Sequence, residues 1–465
     1  MREGLPELGQ WPPRTRWPDA VHRGVAALRE LLVTSAGTPA APRSLVLAVS
    51  GGADSLALAV LAAVLRGTRD GEGLRIGAVV VDHGLQEGSA DVAQAAARVC
   101  TGLGLDPVTV QTVRVQARGE GLEAAARDAR MTALAAAARR AGAGLVATAH
   151  TADDQAEQVL LALARGSGTR SLAGMPARRP LAQDGVGSAA DIMPDAQRDT
   201  AEAQAPREPL VRGERHGPTC AAEPHVDLVR PLLALTRADT EAVCAWAGVT
   251  WWADPMNTDP DVRRVRIRET VLPLIEDEHR GLGPGVRAGL VRSAAIAAED
   301  AAALESWAAR ELTALTLDEA GPDRTDNADV PDALGAPGAP CAFDAPDVPG
   351  GLDASDAAAA AGASRRRIAL DLDGLAVLPA AVRHRIYARA AALTGADPTT
   401  RERLLAVDAL VTQAHRGGSS AGPVQLGGGT QVRRRRRDAA GGGTDAGAGA
   451  HTCARLEFHP DPAVD

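Results

Sequence analysis

The most informative part of the sequence is the hexapeptide Ser50-Gly51-Gly52-Ala53-Asp54-Ser55. The apolar run before it, 45–49, has the length of a buried parallel strand, and the run after it, 56–65, is typical of a helix that ends at Gly67. A glycine-rich turn from a strand into a helix collects backbone N–H groups at the positive end of the helix dipole. The hexapeptide, called the 50–55 loop below, therefore predicts a phosphate site. The alternative is a Gly-Gly turn that is merely capped by serine and aspartate.

The 50–55 loop is not a Walker loop, because no Gly-Lys-Ser/Thr follows it. The whole chain contains no lysine. A phosphate bound at this loop must therefore be held by backbone N–H groups, hydroxyl groups, arginine or a metal ion.

Strand-like and helix-like segments alternate on both sides of the loop. The predicted strands are 45–49, 75–83, 108–115 and 145–150, and the predicted helices are 56–65, 89–103, 121–141 and 153–165. This alternation predicts an α/β fold with a parallel sheet that is covered on both faces. Ligands of such sheets bind beyond the carboxyl ends of the strands, where the 50–55 loop, Asp82-His83 and His150 to Asp154 all fall. We expect these three polar clusters to converge on one cleft.

Composition limits the classes of function. The five cysteines lie far apart without a C-x-x-C pair, which argues against a cysteine-ligated metal site and for a reducing compartment. No signal-like or membrane-length apolar segment is present, so we expect a soluble, cytoplasmic protein that does not contact membranes. The net charge is −9, but residues 318–356 carry ten acidic residues against one arginine. The rest of the chain is therefore balanced and can carry basic faces.

Changes in composition divide the chain into six predicted regions. They are an N-terminal extension (1–42), a nucleotide-binding domain (43–227) with a disordered insertion (181–226), a helical substrate domain (228–316), an acidic flexible linker (317–364), a small helical and β segment (365–437) and a Gly-rich tail (438–465).

Asp153 and Asp154 open a predicted helix directly after a strand, and Glu157 lies one turn further on the same face. Acids at this position commonly cap a helix and compensate its dipole. Beside a phosphate loop, however, carboxylates are also suited to Mg²⁺ and to a cationic substrate. We favour the second interpretation because of the neighbouring loop.

These motifs together resemble the PP-loop ATP pyrophosphatases, and within them the tRNA(Ile)-lysidine synthases. The motif segments are Ser50 to Ser55, Val81-Asp82-His83-Gly84-Leu85, Ala149 to Glu157, Arg165-Gly166-Ser167-Gly168, Arg230-Pro231-Leu232-Leu233 and Asp254-Pro255 with Asn257-Thr258-Asp259-Pro260. The resemblance covers 43–180 and 228–290 strongly and 366–437 weakly. It implies an adenine nucleotide α hydrolase-like domain followed by a mostly helical domain that contacts tRNA.

The resemblance also implies a reaction. ATP would adenylate the C2 oxygen of the wobble cytidine of an isoleucine tRNA with a CAU anticodon, and free L-lysine would then attack C2 and release AMP. The ATP-binding residues would be Ser50, Gly51, Gly52, Ala53, Asp54, Ser55, Asp82 and His83. Asp54 and Asp154 would bind Mg²⁺ or the lysine ammonium, and Asp54, Asp154, Glu157, Arg130 and His150 would form the catalytic set. A solvated helix face for Arg130 and a packed, hydrogen-bonded ring for His150 are the alternatives.

Two groups of arginines are candidates for tRNA contact. Arg263, Arg264, Arg266 and Arg268 lie within two helical turns, and their spacing spreads them around the helix. The run from Arg433 to Arg437 is the second group. Arginine binds phosphate bidentately, whereas a solvated basic surface is the alternative for both groups.

The sequence departs from the family at Met256, Val265 and Met131, where serine, asparagine and an aromatic residue are usual. These changes put the tRNA or lysine contacts in doubt and leave the 50–55 loop intact. The competing functions are a tRNA 2-thiolase, which we would expect to carry paired cysteines, an NAD or GMP synthetase, and a catalytically silent tRNA-binding module. The oligomeric state is left open between monomer and homodimer.

Overall fold

A computed structural model describes residues 10–34, 44–82, 84, 88–113, 122–166, 168–181, 192–194, 226–254, 262–317, 367–397, 399–412, 423–435 and 454–460. The chain divides into two compact units, Met1–Ala298 and Glu299–Asp465. Almost all of the predicted linker 317–364 and of the predicted insertion 181–226 lies outside the described residues, as do His83, Met256 and the arginines 436 and 437.

The first unit is built on a seven-stranded sheet in the order β5-β7-β4-β1-β2-β3-β6. Its strands are β1 (Ser44–Val49), β2 (Arg75–Asp82), β3 (Val108–Val113), β4 (Leu145–Ala147), β5 (Arg178–Pro180), β6 (Ile192–Pro194) and β7 (Asp227–Val229). The five central strands are parallel, whereas β5 and β6 run antiparallel to β7 and β3 at the edges. The α/β class predicted from the alternating pattern is confirmed. Strand β6 falls within the range predicted as a disordered insertion.

The first unit also contains helices. They are α1 (Asp19–Thr34), α2 (Ala53–Arg66), α3 (Ser89–Gly102), α4 (Leu122–Arg140), α5 (Ala152–Ala164), α6 (Thr169–Leu172), α7 (Arg237–Trp246), α8 (Arg263–Arg266) and α9 (Leu272–Glu276), with a π-helical turn, Ile267–Val271, joining the last two. Of these helices, α2, α3 and α4 contact the sheet. The long helix α10 (Val286–Leu315) spans the boundary between the two units. In the described part of the chain, no helix has both the length and the apolar character needed to cross a membrane.

Helix α2 is the centre of the first unit. Every residue from Ser55 to Leu65 is buried, because the helix is apolar on all sides and lies between the sheet and the helices α1 and α7. Helix α1 approaches closely at Gly24, where a Cβ atom would lie 2.5 Å from Leu61 Cδ1. Burial of α2 fixes its first turn, and therefore fixes the 50–55 loop that leads into it.

The second unit contains the last part of α10, the helices α11 (Leu372–Val377), α12 (Ala380–Leu393) and α13 (Arg401–Thr412), and a four-stranded antiparallel sheet in the order β8-β11-β10-β9. The strands are β8 (Ile368–Asp371), β9 (Val424–Gln425), β10 (Thr430–Arg435) and β11 (Arg455–Pro460). The range 438–465 was predicted as a tail, but β11 pairs with both β8 and β10. Buried Leu456 and Phe458 anchor it in the core of this unit.

The central position of α2 makes it the most sensitive element to a loss of packing. We expect Leu58→Ala to lower the free energy of unfolding by about 2–5 kcal/mol, because Leu58 is fully buried and its truncation leaves a cavity. Leu163→Ala in α5 is the matched control, since Leu163 is also helical but is 53% exposed. Urea unfolding followed by circular dichroism measures both changes, and equal losses would contradict this description of the core.

Candidate active site

A cavity of about 500 Å³ opens at the carboxyl ends of β1, β2 and β4. Its polar lining consists of Ser50, Asp54, Ser55, Asp82, Ser89, Arg130, Thr148, His150 and Asp254. Valine, alanine and leucine side chains of β1, β2, α3 and α4 form much of the remaining wall. The structure therefore brings residues of all three predicted clusters to one cavity, namely the 50–55 loop, Asp82 and His150. Asp153 and Asp154 are not part of its lining, and His83 is not described.

The 50–55 loop is held in shape by its own two serines. The Ser50 backbone N–H donates to Ser55 Oγ (3.1 Å), and Ser55 Oγ donates to the Gly52 carbonyl oxygen (2.9 Å). Gly51 has φ +84°, a conformation that side-chain-bearing residues rarely adopt, and a Cβ atom there would lie 3.2 Å from Val92 Cγ1. Helix α2 begins at Ala53, earlier than the predicted 56, so Asp54 and Ser55 lie in its first turn. The N–H groups of that turn lack intrahelical acceptors and face a ligand site.

Asp82 ends β2 at the cavity wall. It is buried, and its Oδ1 accepts a hydrogen bond from the Gly84 N–H (2.9 Å). This turn fixes the carboxylate at the edge of the cavity.

Asp54 is fixed by helix α7. The Thr240 hydroxyl, which is fully buried, donates to Asp54 Oδ1. Arg237 Nε lies 3.8 Å from the other oxygen, Oδ2. Burial raises the pKa of Asp54, and Asp154 and Asp153 raise it further, whereas the Thr240 hydrogen bond and the charge of Arg237 lower it. Thr240 and Arg237 of α7 thus stabilise the ionised form of Asp54 and partly offset the rise in its pKa that burial causes.

Asp153 and Asp154 have different surroundings. Asp153 Oδ2 accepts from the backbone N–H of Arg237 (2.8 Å), and its Oδ1 accepts from Arg287 of α10. Asp154 Oδ2 accepts from the backbone N–H (2.8 Å) and the hydroxyl (3.0 Å) of Thr151, which caps α5. The remaining Asp154 oxygen, Oδ1, lies 3.9 Å from Arg237 Nη2 and 4.0 Å from Arg268 Nη2. Both oxygens of Asp153 thus accept hydrogen bonds, whereas Asp154 uses one oxygen to cap α5 and has only arginine nitrogens near 4 Å at the other.

Three helix N-termini meet at this point. Asp54 lies in the first turn of α2, Asp153 and Asp154 in that of α5, and Arg237 is the first residue of α7. Aligned N-termini create a positive potential that stabilises carboxylates. The clustering of acids is therefore explained by the helix geometry, and it concentrates negative charge beside the 50–55 loop.

Glu157 is fully buried in an ion pair. Both of its oxygens accept from Arg268, Oε1 from Nε (2.7 Å) and Oε2 from Nη2 (3.2 Å). Burial raises the pKa of Glu157, and the charge and hydrogen bonds of Arg268 oppose that shift. We predicted a catalytic role for Glu157 and a tRNA contact for Arg268, but the structure joins the two and directs Arg268 toward Asp154.

The other arginines predicted to contact tRNA differ in their exposure to solvent. Arg263 and Arg266 are exposed, Arg264 Nη2 donates to Gln158 Oε1 (3.0 Å), and Val265 between them is buried. The sequence spacing predicts that the four arginine side chains point in different directions, and their different exposures agree with that prediction. Val265 stands where asparagine is usual in the family and packs in the interior, so it offers no polar contact.

Arg130 and His150 lie in the cavity wall. Thr148 Oγ1 and His150 Nδ1 are 3.0 Å apart. Burial, together with the charges of Arg230, Arg130 and Arg127, lowers the pKa of His150 to about 4, although Asp154 opposes the shift. Arg230 is almost completely buried and donates from Nη1 to the Pro176 carbonyl oxygen (2.7 Å). His150 is therefore a neutral imidazole at physiological pH, set among arginines.

Sequence reasoning missed three residues of this region: Thr240, Arg237 and Trp252. Thr240 and Arg237 lie in a helix whose pattern is that of an ordinary amphipathic surface helix, so no local signal distinguishes them. Trp252 lines the cavity, and its backbone N–H donates to the Gly51 carbonyl oxygen (3.0 Å). Two adjacent tryptophans in a chain with 2% aromatic residues were the available signal.

The residues at this site fit Mg²⁺ bound together with a phosphate. Within the described ranges no group of three or more His, Cys, Asp or Glu side chains is arranged to hold a metal ion. Mg²⁺ is usually held by only one or two carboxylates plus substrate phosphates and water. Asp54 Oδ2 and Asp154 Oδ1, which lie within 4 Å of the same guanidinium, supply two such oxygens.

The chain is similar in sequence to known proteins. A family model described as a PP-loop domain matches residues 26–186 and 210–275. The tRNA(Ile)-lysidine synthase of Leifsonia xyli is 39% identical over 85% of this chain and 89% of its own length. That of Thermobifida fusca is 35% identical over 87% of this chain and 91% of its own length. Among solved structures, the U34-tRNA thiolase NcsA from Methanococcus maripaludis matches 59% of this chain and 78% of its own, at 13% identity and a TM-score of 0.40.

The contact between Thr240 and Asp54 gives a direct test of the site. We expect Thr240→Val to lower kcat/KM of the reaction at this cavity at least tenfold. The substitution removes the charge-assisted hydrogen bond from Thr240 to Asp54, which is worth about 1.5–3 kcal/mol. Thr240→Ser keeps the hydroxyl and is the matched control. Steady-state kinetics measures both variants, and equal activity of Thr240→Val and wild type would show that Asp54 needs no partner from α7.

Because the pKa of His150 is lowered in the folded protein, the free energy of unfolding depends on pH. The ordinary histidine pKa of 6.5 applies to the unfolded chain, and the folded value is about 4. Between these values the unfolded chain binds a proton that the folded chain does not, so the contribution of His150 is complete above pH 6.5 and is lost as the pH falls toward 4. We expect wild type to lose stability relative to His150→Asn between pH 7 and 5, measured by urea unfolding. A constant difference between the two proteins would contradict the depressed pKa.

Proposed function

The chain belongs to the tRNA(Ile)-lysidine synthase family. We propose that the ligase reaction of this family takes place in the cavity at the 50–55 loop. The protein is a ligase that forms a carbon–nitrogen bond and modifies tRNA. We propose free L-lysine and an isoleucine tRNA with a CAU anticodon as its substrates, and the cytoplasm as its location; the names of the relatives support this proposal. One observation carries the mechanism: Asp54 of the 50–55 loop and Asp154 of α5 lie within 4 Å of the same guanidinium, that of Arg237.

ATP would bind with its phosphates at the 50–55 loop. The first N–H groups of α2 are donors suited to phosphate, and their positions are fixed before any ligand arrives because Ser50 and Ser55 hold the turn. The Ser50 hydroxyl donates to Ser55 Oγ (3.2 Å) and would rotate away from it to donate to a phosphate. The aliphatic wall from β1, β2 and α4 suits the adenosine, with Asp82 at its border. Negative charge that develops on the leaving pyrophosphate is stabilised by donors that need no rearrangement.

Mg²⁺, when bound by Asp54 and Asp154, would neutralise charge on the phosphates. The same two carboxylates are also suited to the ammonium group of lysine, since each has one oxygen without a hydrogen bond in the described part of the chain. Glu157 would act through Arg268 by holding its guanidinium beside Asp154.

The chemistry consists of two displacements. The C2 oxygen of the wobble cytidine attacks the α-phosphorus of ATP, a P–O bond forms, and the bond to pyrophosphate breaks. The lysine amine then attacks C2, a C–N bond forms, the C2–O bond breaks, and AMP leaves. The amine loses a proton to solvent in this step; because the pKa of His150 is lowered to about 4, His150 is a weak base and would position the reacting groups rather than take the proton.

Exposed Arg263 and Arg266 would contact tRNA phosphates close to this site, because they lie on the helix that carries Arg268. In the second unit, Arg433 and Arg435 lie on β10, and Arg435 Nε lies 3.0 Å from Glu457 Oε2. Both groups are proposed as electrostatic contacts that position the RNA without reading its sequence.

The thiolase alternative is disfavoured by the cysteines that the structure describes. Cys100 and Cys244 are both buried, and burial raises the pKa of each thiol to about 12. A thiol with such a pKa is not a thiolate at neutral pH and is a poor nucleophile.

The proposed reaction predicts that the protein incorporates radiolabelled lysine into an isoleucine transcript with a CAU anticodon only when ATP is present. One AMP and one pyrophosphate should be released for each lysine incorporated. ATP turnover that is equal with and without lysine would contradict the proposal, and a methionine tRNA transcript with the same anticodon is the matched control for the RNA.

Asp54→Asn and Asp154→Asn test the carboxylates separately. We expect each to reduce lysine incorporation at least a hundredfold while tRNA binding changes little, because each removes one negative charge from the cation site. Asp70→Asn is the control, because it removes an exposed acid in the short 3-10 turn Arg69–Gly71 that follows α2, outside the cavity lining. Normal incorporation by either active-site variant would remove that residue from the mechanism.

A further inference from the structure

Two adjacent tryptophans, Trp251 and Trp252, are exposed next to the cavity. Their exposed fractions are 39% and 36%, and they are the only aromatic side chains among the large hydrophobic residues that the described ranges leave exposed. The chain has only nine aromatic residues in all. Exposing two large rings side by side leaves apolar area in water, which indicates a ligand surface more often than chance.

Only one of the two rings belongs to the cavity. Trp252 is part of its lining, together with the 50–55 loop and Asp254, and Trp251 is not. The Trp252 backbone N–H donates to the Gly51 carbonyl oxygen at 3.0 Å, which fixes its Cα next to the phosphate loop. The ring is thus carried by the same backbone that shapes the 50–55 loop and is positioned before a ligand arrives.

The chemistry of the cavity indicates what the ring binds. Among the described residues, the partly buried imidazole of His150 is the one other aromatic ring in the wall, and Trp252 is its only Trp, Tyr or Phe. A planar heteroaromatic base stacks on such a ring, and each base–aromatic stack contributes substantially to nucleic-acid binding. Two of the three substrates of the proposed reaction would bring a base to this cavity: adenine on ATP, and the target cytosine, which an enzyme must take out of its stack before it can act on it.

We propose that Trp252 is a stacking platform for a nucleobase in the active-site cavity, and therefore a further substrate-binding residue. The assignment rests on the proposed function, since that function supplies the two bases. The ligand is a purine or pyrimidine ring, and the source is either the nucleotide or the RNA. Trp251, equally exposed and adjacent in sequence, has no such role.

The test compares equilibrium binding of ATP and of a CAU anticodon stem-loop RNA to wild type, Trp252→Ala, Trp252→Phe and Trp251→Ala. Binding is measured directly by calorimetry, so the result does not depend on turnover. We expect Trp252→Ala to weaken one of the two ligands by roughly 5- to 150-fold, the range of a single base stack. Trp252→Phe should retain most of the affinity, and Trp251→Ala should equal wild type.

Weaker ATP binding assigns the stack to adenine, and weaker RNA binding assigns it to a base of the anticodon loop; either result supports the proposal. Unchanged binding of both ligands to Trp252→Ala overturns it. Loss by Trp252→Phe as large as that of Trp252→Ala also overturns it, because phenylalanine keeps an aromatic face. Failure of the lysine assay with intact base binding would instead contradict the proposed function and leave the stack in place.

Discussion

The hydrogen bond from the Thr240 hydroxyl to Asp54 joins the first turn of α7 to the first turn of α2, and the rest of the site depends on that junction. The backbone N–H of Arg237, which starts α7, is bound in turn by Asp153 of α5. Three positive helix ends are thereby brought together, and each carries a carboxylate or a cation that compensates its neighbours. Without this junction the 50–55 loop would remain an anion-binding turn, but it would have no fixed negative charge beside it.

A balance of charge gives the site its chemistry. Asp54, Asp154 and Glu157 face Arg237 and Arg268, and the Arg268–Glu157 pair is shielded from solvent because Glu157 is fully buried. Breaking a buried pair is costly, so Arg268 is held firmly beside Asp154. The carboxylate oxygens that lack hydrogen bonds lie at distances near 4 Å from arginine, and a smaller cation can therefore compete for them. Adjacent sites for an anion and for a cation are what a reaction between ATP, a metal ion and an amine requires.

Local patterns were sufficient to predict the α/β class, the 50–55 loop and the carboxylates of α5, because each depends on residues that are close in sequence. Contacts over long separations could not be predicted in this way: Thr240 is 186 residues from Asp54, and Arg268 is 111 from Glu157. The same limit applies to β11, where Leu456 and Phe458 become core residues only after pairing with β8 and β10. The segment 455–460 alternates polar and apolar residues as a strand does, but this local pattern does not show that β11 lies between β8 and β10.

The central claim is that the anion site of the 50–55 loop and the cation site of Asp54 and Asp154 act on the same nucleotide. A crystal structure with a non-hydrolysable ATP analogue and Mn²⁺ tests it most directly, since anomalous scattering locates the metal independently of the protein. The account predicts phosphate oxygens at the N–H groups of the 50–55 loop and Mn²⁺ between those oxygens and a carboxylate of Asp54 or Asp154. Triphosphate bound away from the loop, or Mn²⁺ bound without either carboxylate, would contradict it.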